Sequence, residues 1–277
     1  MFSGLITALV TPFDEKGAID WHTFSRLIER QLEAGVDGLV IGGTTGEGPT
    51  LEWEELTRML TLAVEIAGDQ LYIIANIGTN NTRQTALRAM EAKQIGVSAG
   101  LVIVPYYNKP CQEGVYQHFA AVSGADLPLI LYHHPGRTGI TLEPETIDRI
   151  MELETLIAIK DSSGDSQLAA RHPTYCGLDL QLREYLEAGA IGTISVIGNL
   201  LPDQCHHIVH NRDYNLLGAL TPLLETLELE VNPQAIKCAM EIAGLCLAKT
   251  RLPLISAAPS TQAALTEKLH ALQATLI

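Results

Sequence analysis

Lys160 is the residue of this sequence with the clearest potential for covalent chemistry. It follows the apolar run Leu-Ile-Ala-Ile at 156–159, so it lies at the end of a predicted buried strand. Lysine is rarely buried without a partner. If Lys160 faces the interior with Leu156 and Ala158, loss of solvent favours the neutral amine, which can attack a carbonyl and form a Schiff base. On position alone, a lysine that has left the strand and points into water is an equal alternative.

Tyr132 could assist the same chemistry. It ends a second apolar run, Leu-Ile-Leu at 129–131. Neighbouring strands lie about 5 Å apart, so residues at matching strand ends can reach one bound carbonyl. A tyrosine hydroxyl there could move protons while a carbinolamine forms and collapses. The alternative is a core tyrosine bonded to a backbone carbonyl, but the match with Lys160 favours a catalytic role.

Two glycine-rich segments could bind a carboxylate. Residues 42–48 read Gly-Gly-Thr-Thr-Gly-Glu-Gly, where Thr44 and Thr45 add hydroxyl donors to backbone N–H groups ahead of a predicted helix. Arg137 lies in the second segment, Gly-Arg-Thr-Gly at 136–139, and its planar guanidinium suits a carboxylate. Each signal is weak by itself, because such loops are more often tight turns and such arginines are usually solvated.

The histidines do not predict a metal site. His133 and His134 are neighbours on a strand and point to opposite faces. His206 and His210 could share a helix face, but no acidic or cysteine third ligand accompanies them. We therefore expect no metal and no organic cofactor, since a lysine imine is itself an electron sink.

Eight short apolar runs indicate the strands that must position these residues. They read as continuous Ile, Leu, Val and Ala rather than as polar–apolar alternation, which is typical of parallel strands covered on both faces. The predicted strands are Leu5–Val10, Gly38–Ile41, Leu71–Ile77, Gly100–Pro105, Leu127–Tyr132, Leu156–Ile159, Thr174–Cys176 and Gly192–Val196.

Helical patterns separate these strands and continue after the last one. The sequence therefore predicts a (β/α)₈ TIM barrel over residues 1–212 with a C-terminal helical extension over residues 213–277, packed on the barrel as one structural unit. A doubly wound sheet is disfavoured, because no Gly-x-Gly-x-x-Gly follows the first strand. The connection from Lys160 to Cys176 leaves room for about two helical turns at most. The predicted helices are Trp21–Ala34, Leu51–Ala67, Asn80–Ile95, Glu113–Ser123, Glu143–Met151, Leu182–Ala188, Pro202–His210, Tyr214–Leu229, Pro233–Ala248 and Ser260–Thr275.

Composition limits the classes of function. The chain has 277 residues and a formal net charge of −14, which disfavours nucleic acid or an anionic membrane as partner but permits a small anionic substrate. Five cysteines without a Cys-x-x-Cys pair indicate reduced thiols. No basic leader precedes the first strand, and no apolar run approaches the ~20 residues of a membrane span. We expect a cytoplasmic enzyme.

Taken together, the strand ends resemble the dihydrodipicolinate synthase / N-acetylneuraminate lyase family of Schiff-base aldolases. The likeness runs the length of the chain, and the set of motifs is specific although no single motif is. The matching stretches are Gly-Gly-Thr-Thr-Gly-Glu at 42–47, Pro-Tyr-Tyr-Asn-Lys-Pro at 105–110, Tyr-His-His-Pro-Gly-Arg-Thr-Gly at 132–139, Ile-Lys-Asp at 159–161, Gly-Thr-Ile-Ser-Val at 192–196, Asn-Pro at 232–233 and Arg-Leu-Pro-Leu at 251–254.

The resemblance implies a catalytic role for four residues. Lys160 would form the Schiff base with pyruvate, and Tyr132 would donate and accept protons. Thr44 would link Tyr132 to Tyr107 in a proton relay, with Tyr107 reaching in from a neighbouring subunit. The resemblance therefore also implies a homodimer or a homotetramer.

The remaining implied residues bind substrate. Thr45 would hold the pyruvate carboxylate, and Arg137 would hold the carboxylate of aspartate semialdehyde at the cleft mouth. Gly177 and the carbonyl of Ile194 would line the site. These motifs look like the branch of the family that condenses pyruvate with aspartate semialdehyde.

Three features depart from that branch and leave alternatives open. His133 stands where asparagine is usual, the Asp-Ser-Ser-Gly-Asp segment at 161–165 also occurs in sugar-acid aldolases, and the span from Lys160 to Gly177 is short. One alternative is a Schiff-base aldolase for N-acetylneuraminate or a 2-keto-3-deoxy sugar acid, against which Arg137 argues. The other is a non-catalytic barrel that binds 2-oxo acids, against which the set of Lys160, Tyr132 and Thr44 argues.

Overall fold

Eight parallel strands form a closed barrel in sequence order. The structure is a computed structural model that describes residues 3–276, with side chains described for residues 3–272. Residues 1, 2 and 277, which are the ends of the two predicted segments, lie outside the described residues. Each strand pairs with the next along the chain, and β8 pairs with β1. The strands are β1 (Gly4–Ala8), β2 (Gly38–Ile41), β3 (Tyr72–Asn76), β4 (Ala99–Ile103), β5 (Leu129–His133), β6 (Leu156–Asp161), β7 (Thr174–Cys176) and β8 (Gly192–Ser195).

The predicted TIM barrel is therefore confirmed, and its strands differ from the prediction only at their ends. The difference that matters most is at β6, which continues through Lys160 to Asp161. It extends because β5 also continues, and His133 of β5 lies opposite Asp161 of β6.

Within residues 3–276, twelve α-helices accompany the strands. Most alternate with them around the outside of the barrel, as a (β/α)₈ topology requires. Their bounds are α1 (Trp21–Glu33), α2 (Trp53–Ala67), α3 (Thr82–Ile95), α4 (Gln112–Ser123), α5 (Pro135–Thr138), α6 (Pro144–Met151), α7 (Leu168–Arg171), α8 (Leu182–Glu187), α9 (Pro202–Asn211), α10 (Tyr214–Leu227), α11 (Gln234–Ile242) and α12 (Pro259–Leu276).

Two apolar clusters fill the fold. One lies inside the barrel and contains alternate residues of the strands, among them Ile130, Tyr132, Ala158, Tyr175 and Ile194. The other lies between the strands and the surrounding helices. Side chains two apart on a strand share a face, so the interior position of Ala158 places Lys160 inside the barrel as well.

Two helices differ from the sequence-based expectation. The helix predicted over Pro233–Ala248 ends at Ile242, so that prediction is wrong in its second half. Gly244 there has φ +72, and the N–H groups of Gly244 and Leu245 bond back to the carbonyls of Glu241 and Met240, which closes the helix. The short sixth connection holds the single turn α7, as its length allows. The one-turn helix α5, which carries Arg137, was not predicted.

The C-terminal helices are tied to the barrel by a buried ion pair. Lys237 of α11 donates to the Glu47 carboxylate at 2.6 Å, and both side chains are fully buried. Lys237 also donates to the carbonyl of Lys249 at 2.5 Å. None of the described helices combines the length and the apolar character needed to cross a membrane.

His118 gives the fold a pH dependence that can be measured. Its Nδ1 lies 2.9 Å from the Thr82 hydroxyl, and burial lowers the pKa of His118 from 6.5 to about 4. In the unfolded chain His118 would take up a proton below about pH 6.5, so the folded state loses stability as pH falls from there towards 4. His118→Gln removes this titration. We expect the free energy of unfolding, measured in urea at pH 7.5 and pH 4.5, to fall by about 2–3 kcal/mol more in the wild type than in the variant. An equal fall in both proteins would contradict this reading.

Candidate active site

Lys160 and Tyr132 meet on the floor of a cavity at the carboxyl ends of the strands. The register of β5 and β6 places them directly opposite each other. Lys160 is 6% exposed and Tyr132 is 5% exposed, and the Lys160 Nζ lies 4.4 Å from the centre of the Tyr132 ring. The structure thus resolves the two readings of Lys160 left open by the sequence, since the side chain enters the barrel interior.

Most of the predicted site residues line this one cavity. Of the eight, Thr44, Thr45, Tyr132, Arg137, Lys160 and Gly177 do so. Ile194 lies in the interior cluster of the barrel with Tyr132. Tyr107 does not line the cavity of its own chain; it is 90% exposed and has φ +70. The other lining residues are His134, Ser162, Leu178, Asp179, Leu180, Val196, Leu224, Leu227, Glu228, Glu230, Asn232 and Ile236.

Gly177 provides the room that the Lys160 side chain occupies. A Cβ atom at this position would lie 2.2 Å from the Ser162 Oγ and 3.1 Å from the Lys160 Cε. Its own N–H donates to the Asp161 carbonyl at 2.7 Å. Any larger residue at 177 would therefore displace either the loop or the Lys160 stem.

The loop of residues 42–48, called the threonine loop below, is held in place by contacts of its own Glu47 and by the C-terminal extension. Glu47 adopts left-handed backbone geometry at φ 55 and turns its carboxylate into the protein, where it accepts from Lys237 and from the N–H of Arg251 at 2.8 Å. Asn232 donates to the Thr45 hydroxyl at 3.0 Å. The orientation of Thr45 thus depends on residues almost two hundred positions away in the chain.

Two basic side chains differ in charge at the cavity. Arg137 is an exposed residue of α5, and its side chain forms no hydrogen bond within residues 3–272. The His134 ring packs edge-on to Tyr132 at 5.9 Å between ring centroids. Burial, followed by the charges of Arg137 and Lys160, lowers the pKa of His134 to about 4. At neutral pH the His134 imidazole is therefore uncharged, whereas the guanidinium of an arginine stays charged.

A second polar pair lies directly behind Lys160 and Tyr132, on the outer face of the same strands. His133 Nδ1 lies 2.9 Å from the Asp161 Oδ1, and the Leu142 N–H donates to the other ring nitrogen at 3.3 Å. Because its Nε2 accepts from Leu142, His133 donates from Nδ1 to the Asp161 carboxylate. Tyr185 also donates to Asp161. Two of the departures from the family pattern, at 133 and at 161, are thus partners that fasten the ends of β5 and β6 together.

Sequence reasoning missed the wall that the extension contributes. Leu224, Leu227 and Glu228 come from the end of α10, and Asn232 and Ile236 follow it. Of the residues in this wall, only Asn232 was identified from the sequence, as part of the Asn-Pro family motif at 232–233. His134 was weighed only as a metal ligand. Across residues 3–272 no group of three or more His, Cys, Asp and Glu side chains could hold a metal ion.

Comparison with known proteins agrees with this geometry. Residues 1–272 match the sequence profile described as the Dihydrodipicolinate synthetase family. A 4-hydroxy-tetrahydrodipicolinate synthase of Cyanothece sp. is 38% identical, and the match covers 98% of each chain. The chain belongs to the dihydrodipicolinate synthetase family.

Solved structures of the family extend the agreement to the whole fold. The 4-hydroxy-tetrahydrodipicolinate synthase of the thermoacidophilic methanotroph Methylacidiphilum fumariolicum SolV is 33% identical and superposes with a TM-score of 0.95, over 100% of this chain and 97% of that one. A structure described as the first monomeric dihydrodipicolinate synthase variant is 34% identical, with a TM-score of 0.94 over 98% and 97% of the two chains. The family prediction made from the strand-end motifs is confirmed.

Proposed function

We propose that this enzyme is a lyase that condenses pyruvate, held as a Schiff base on Lys160, with aspartate semialdehyde, in the diaminopimelate route to lysine. The 4-hydroxy-tetrahydrodipicolinate synthases that it resembles over nearly its full length support this activity. The observation that carries the chemistry is the buried Lys160 beside Tyr132 at the floor of the cavity.

The proposed mechanism begins with attack of the neutral Lys160 amine on the C2 carbonyl of pyruvate. Tyr132 transfers protons as the carbinolamine forms and loses water to give the imine. Loss of a proton from the pyruvate methyl group then gives the enamine. Its methylene carbon attacks the aldehyde of aspartate semialdehyde. The substrate's own amine finally displaces Lys160 from the imine carbon, which closes the ring and frees the lysine.

Two groups would orient the carboxylates. Thr45 would bind that of pyruvate through its N–H and hydroxyl, with Gly177 and the Ile194 carbonyl lining the same end of the site. Arg137 would bind that of aspartate semialdehyde, and its unpaired guanidinium at the cavity mouth supports this. The proposed mechanism needs neither a metal nor an organic cofactor.

Thr44 and Tyr107 would complete a proton relay to Tyr132 only in an oligomer. Thr44 lines the cavity, whereas the 90% exposed Tyr107 would have to enter the cavity of a neighbouring subunit. We therefore propose a homodimer at least, as the smallest assembly with a complete relay.

The cellular setting and the unity of the chain complete the proposal. All five cysteines are unpaired, which supports a reducing, cytoplasmic location. The contacts of Asn232, Lys237 and Arg251 with the threonine loop support a barrel and an extension that act as one unit.

The test of the proposed function is a direct comparison of two reactions. Purified enzyme should condense pyruvate with aspartate semialdehyde and should not cleave N-acetylneuraminate or a 2-keto-3-deoxy sugar acid at a comparable rate. Cleavage of a sugar acid without condensation would instead support the other aldolase branch. Binding of pyruvate with neither reaction would support a non-catalytic barrel.

Arg137→Ala separates the second substrate from the first. Loss of a charge-assisted clamp removes about 1.5–3 kcal/mol of binding, so we expect kcat/KM for aspartate semialdehyde to fall by about tenfold or more. Schiff-base formation with pyruvate should be unchanged, because Lys160 is untouched. Arg183→Ala, on the exposed face of α8, is the matched control. Equal damage to both substrates would show that Arg137 is structural.

Specific activity should depend on assembly if Tyr107 is donated between subunits. On serial dilution we expect activity to fall together with the oligomer, measured by sedimentation velocity and initial rates on the same samples. Tyr107→Phe should lower kcat by about 10²-fold or more while the sedimentation coefficient stays unchanged. Tyr106→Phe, one residue away, controls for local packing. A fully active monomer would contradict the relay.

A further inference from the structure

The mouth of the cavity carries two opposite charges that do not pair with each other. Arg137 reaches it from α5, and Glu228 reaches it from the cap that ends α10. Within residues 3–272 neither side chain forms a hydrogen bond or an ion pair. They nevertheless line the same cavity. Burial, followed by the charge of Asp179, raises the pKa of Glu228, and the charge of Arg137 opposes this rise.

The other two acids of the cavity each accept two hydrogen bonds from the protein. Asp179 accepts from the N–H groups of Val196 and Ile197, both at 2.9 Å. Glu230 accepts from the Ala258 N–H at 2.9 Å and from the Thr261 hydroxyl at 3.0 Å. Of the described acids that line this cavity, Glu228 is therefore the one whose carboxylate has no protein donor.

A ligand that fits between these two groups needs both an anion and a cation. An α-amino acid has both, since its carboxylate and its ammonium group are attached to the same carbon. The carbonyl end of α10 adds partial negative charge beside Glu228 and favours a cation at the same place. A simple aldehyde acid or a sugar acid has no cation to offer there.

We propose that Glu228 binds the α-ammonium group of the second substrate while Arg137 binds its α-carboxylate. This inference rests on the proposed function and adds to it a residue that selects an amino-acid aldehyde. Bound in this way, the substrate is held at its amino-acid end, and its aldehyde is free to extend towards Lys160. Glu228 is thus a specificity-determining residue of the reaction, separate from the groups that form the Schiff base.

The test compares two aldehydes in Glu228→Gln. Succinate semialdehyde has the carbon chain of aspartate semialdehyde without the amino group. We expect the KM for aspartate semialdehyde to rise by about tenfold, as loss of one charged hydrogen bond implies. The inhibition constant of succinate semialdehyde, measured in competition with aspartate semialdehyde, should not rise. The KM for pyruvate should not change. Glu225→Gln, an exposed acid on α10 outside the cavity, should behave as the wild type.

Each result decides the inference. An unchanged KM for aspartate semialdehyde in Glu228→Gln, with normal condensation, would overturn it and leave the proposed function intact. Equal weakening of both aldehydes would also overturn it, because the ammonium group would then not be the feature that is recognised. If the wild type forms the pyruvate imine but does not condense aspartate semialdehyde, the proposed function and this inference both fail.

Discussion

Replacing Lys160 with methionine is expected to lower kcat/KM for the condensation by at least about 10³-fold, because no amine remains to form the imine. Methionine keeps an unbranched chain of similar length beside Tyr132 and Gly177, so the packing around position 160 should survive. Initial rates measured over a range of concentrations of each substrate give this kcat/KM. Retention of more than about a tenth of the wild-type rate would show that the reaction does not pass through Lys160.

Lys93→Met is the matched control for this substitution. Lys93 is an exposed lysine on α3, where it pairs with Asp126 at 2.6 Å on the surface. Exposed ion pairs contribute little to stability, so both the rate and the fold should stay as in the wild type. A loss of activity in Lys93→Met would mean that removal of any lysine harms the enzyme.

Replacing Lys237 with methionine is expected to have the largest effect on stability. The substitution leaves the fully buried Glu47 carboxylate with the Arg251 N–H and without its ammonium partner. Breaking a buried ion pair by removing one partner costs about 3–5 kcal/mol. The free energy of unfolding from urea titration should fall by this amount, and the KM for pyruvate should rise because Glu47 holds the threonine loop.

Two further variants distinguish the ion pair from a general effect of the substitution. The double variant Lys237→Met, Glu47→Gln should recover part of the lost stability, because no uncompensated charge stays buried. Lys249 contacts Lys237 through its backbone carbonyl, and its own side chain is exposed. Lys249→Met should therefore change the free energy of unfolding by less than about 0.5 kcal/mol. A single Lys237→Met variant as stable as the wild type would contradict the account of this loop.

The barrel and the central pair of the site could be predicted because both follow from local periodicity. Continuous apolar runs indicated parallel strands covered on two faces, and alternation of side chains along a strand placed Lys160 with Ala158. Matching strand ends then placed Tyr132 beside Lys160, as the register shows. Helix ends were less certain, and the helix through Ala248 was overextended although Gly244 was available as a stop signal.

The rest of the site depends on contacts that a single sequence does not reveal. Asn232 reaches Thr45 and Lys237 reaches Glu47 across about 190 residues, because the extension folds back over the barrel mouth. His133 and Asp161 looked like separate departures from the family pattern until their register placed them side by side. Glu228 gave no signal in the sequence, since its role depends on the distant Arg137 that faces the same cavity.

The measurement that tests the central claim most directly is reductive trapping with pyruvate. Incubation with pyruvate and sodium borohydride should inactivate the enzyme and add one reduced pyruvyl group per chain, because the imine is reduced to a stable secondary amine. Peptide mass mapping should place that group on Lys160, and Lys160→Met should stay unmodified under the same conditions. An adduct on another lysine, or inactivation without any adduct, would contradict the Schiff-base mechanism.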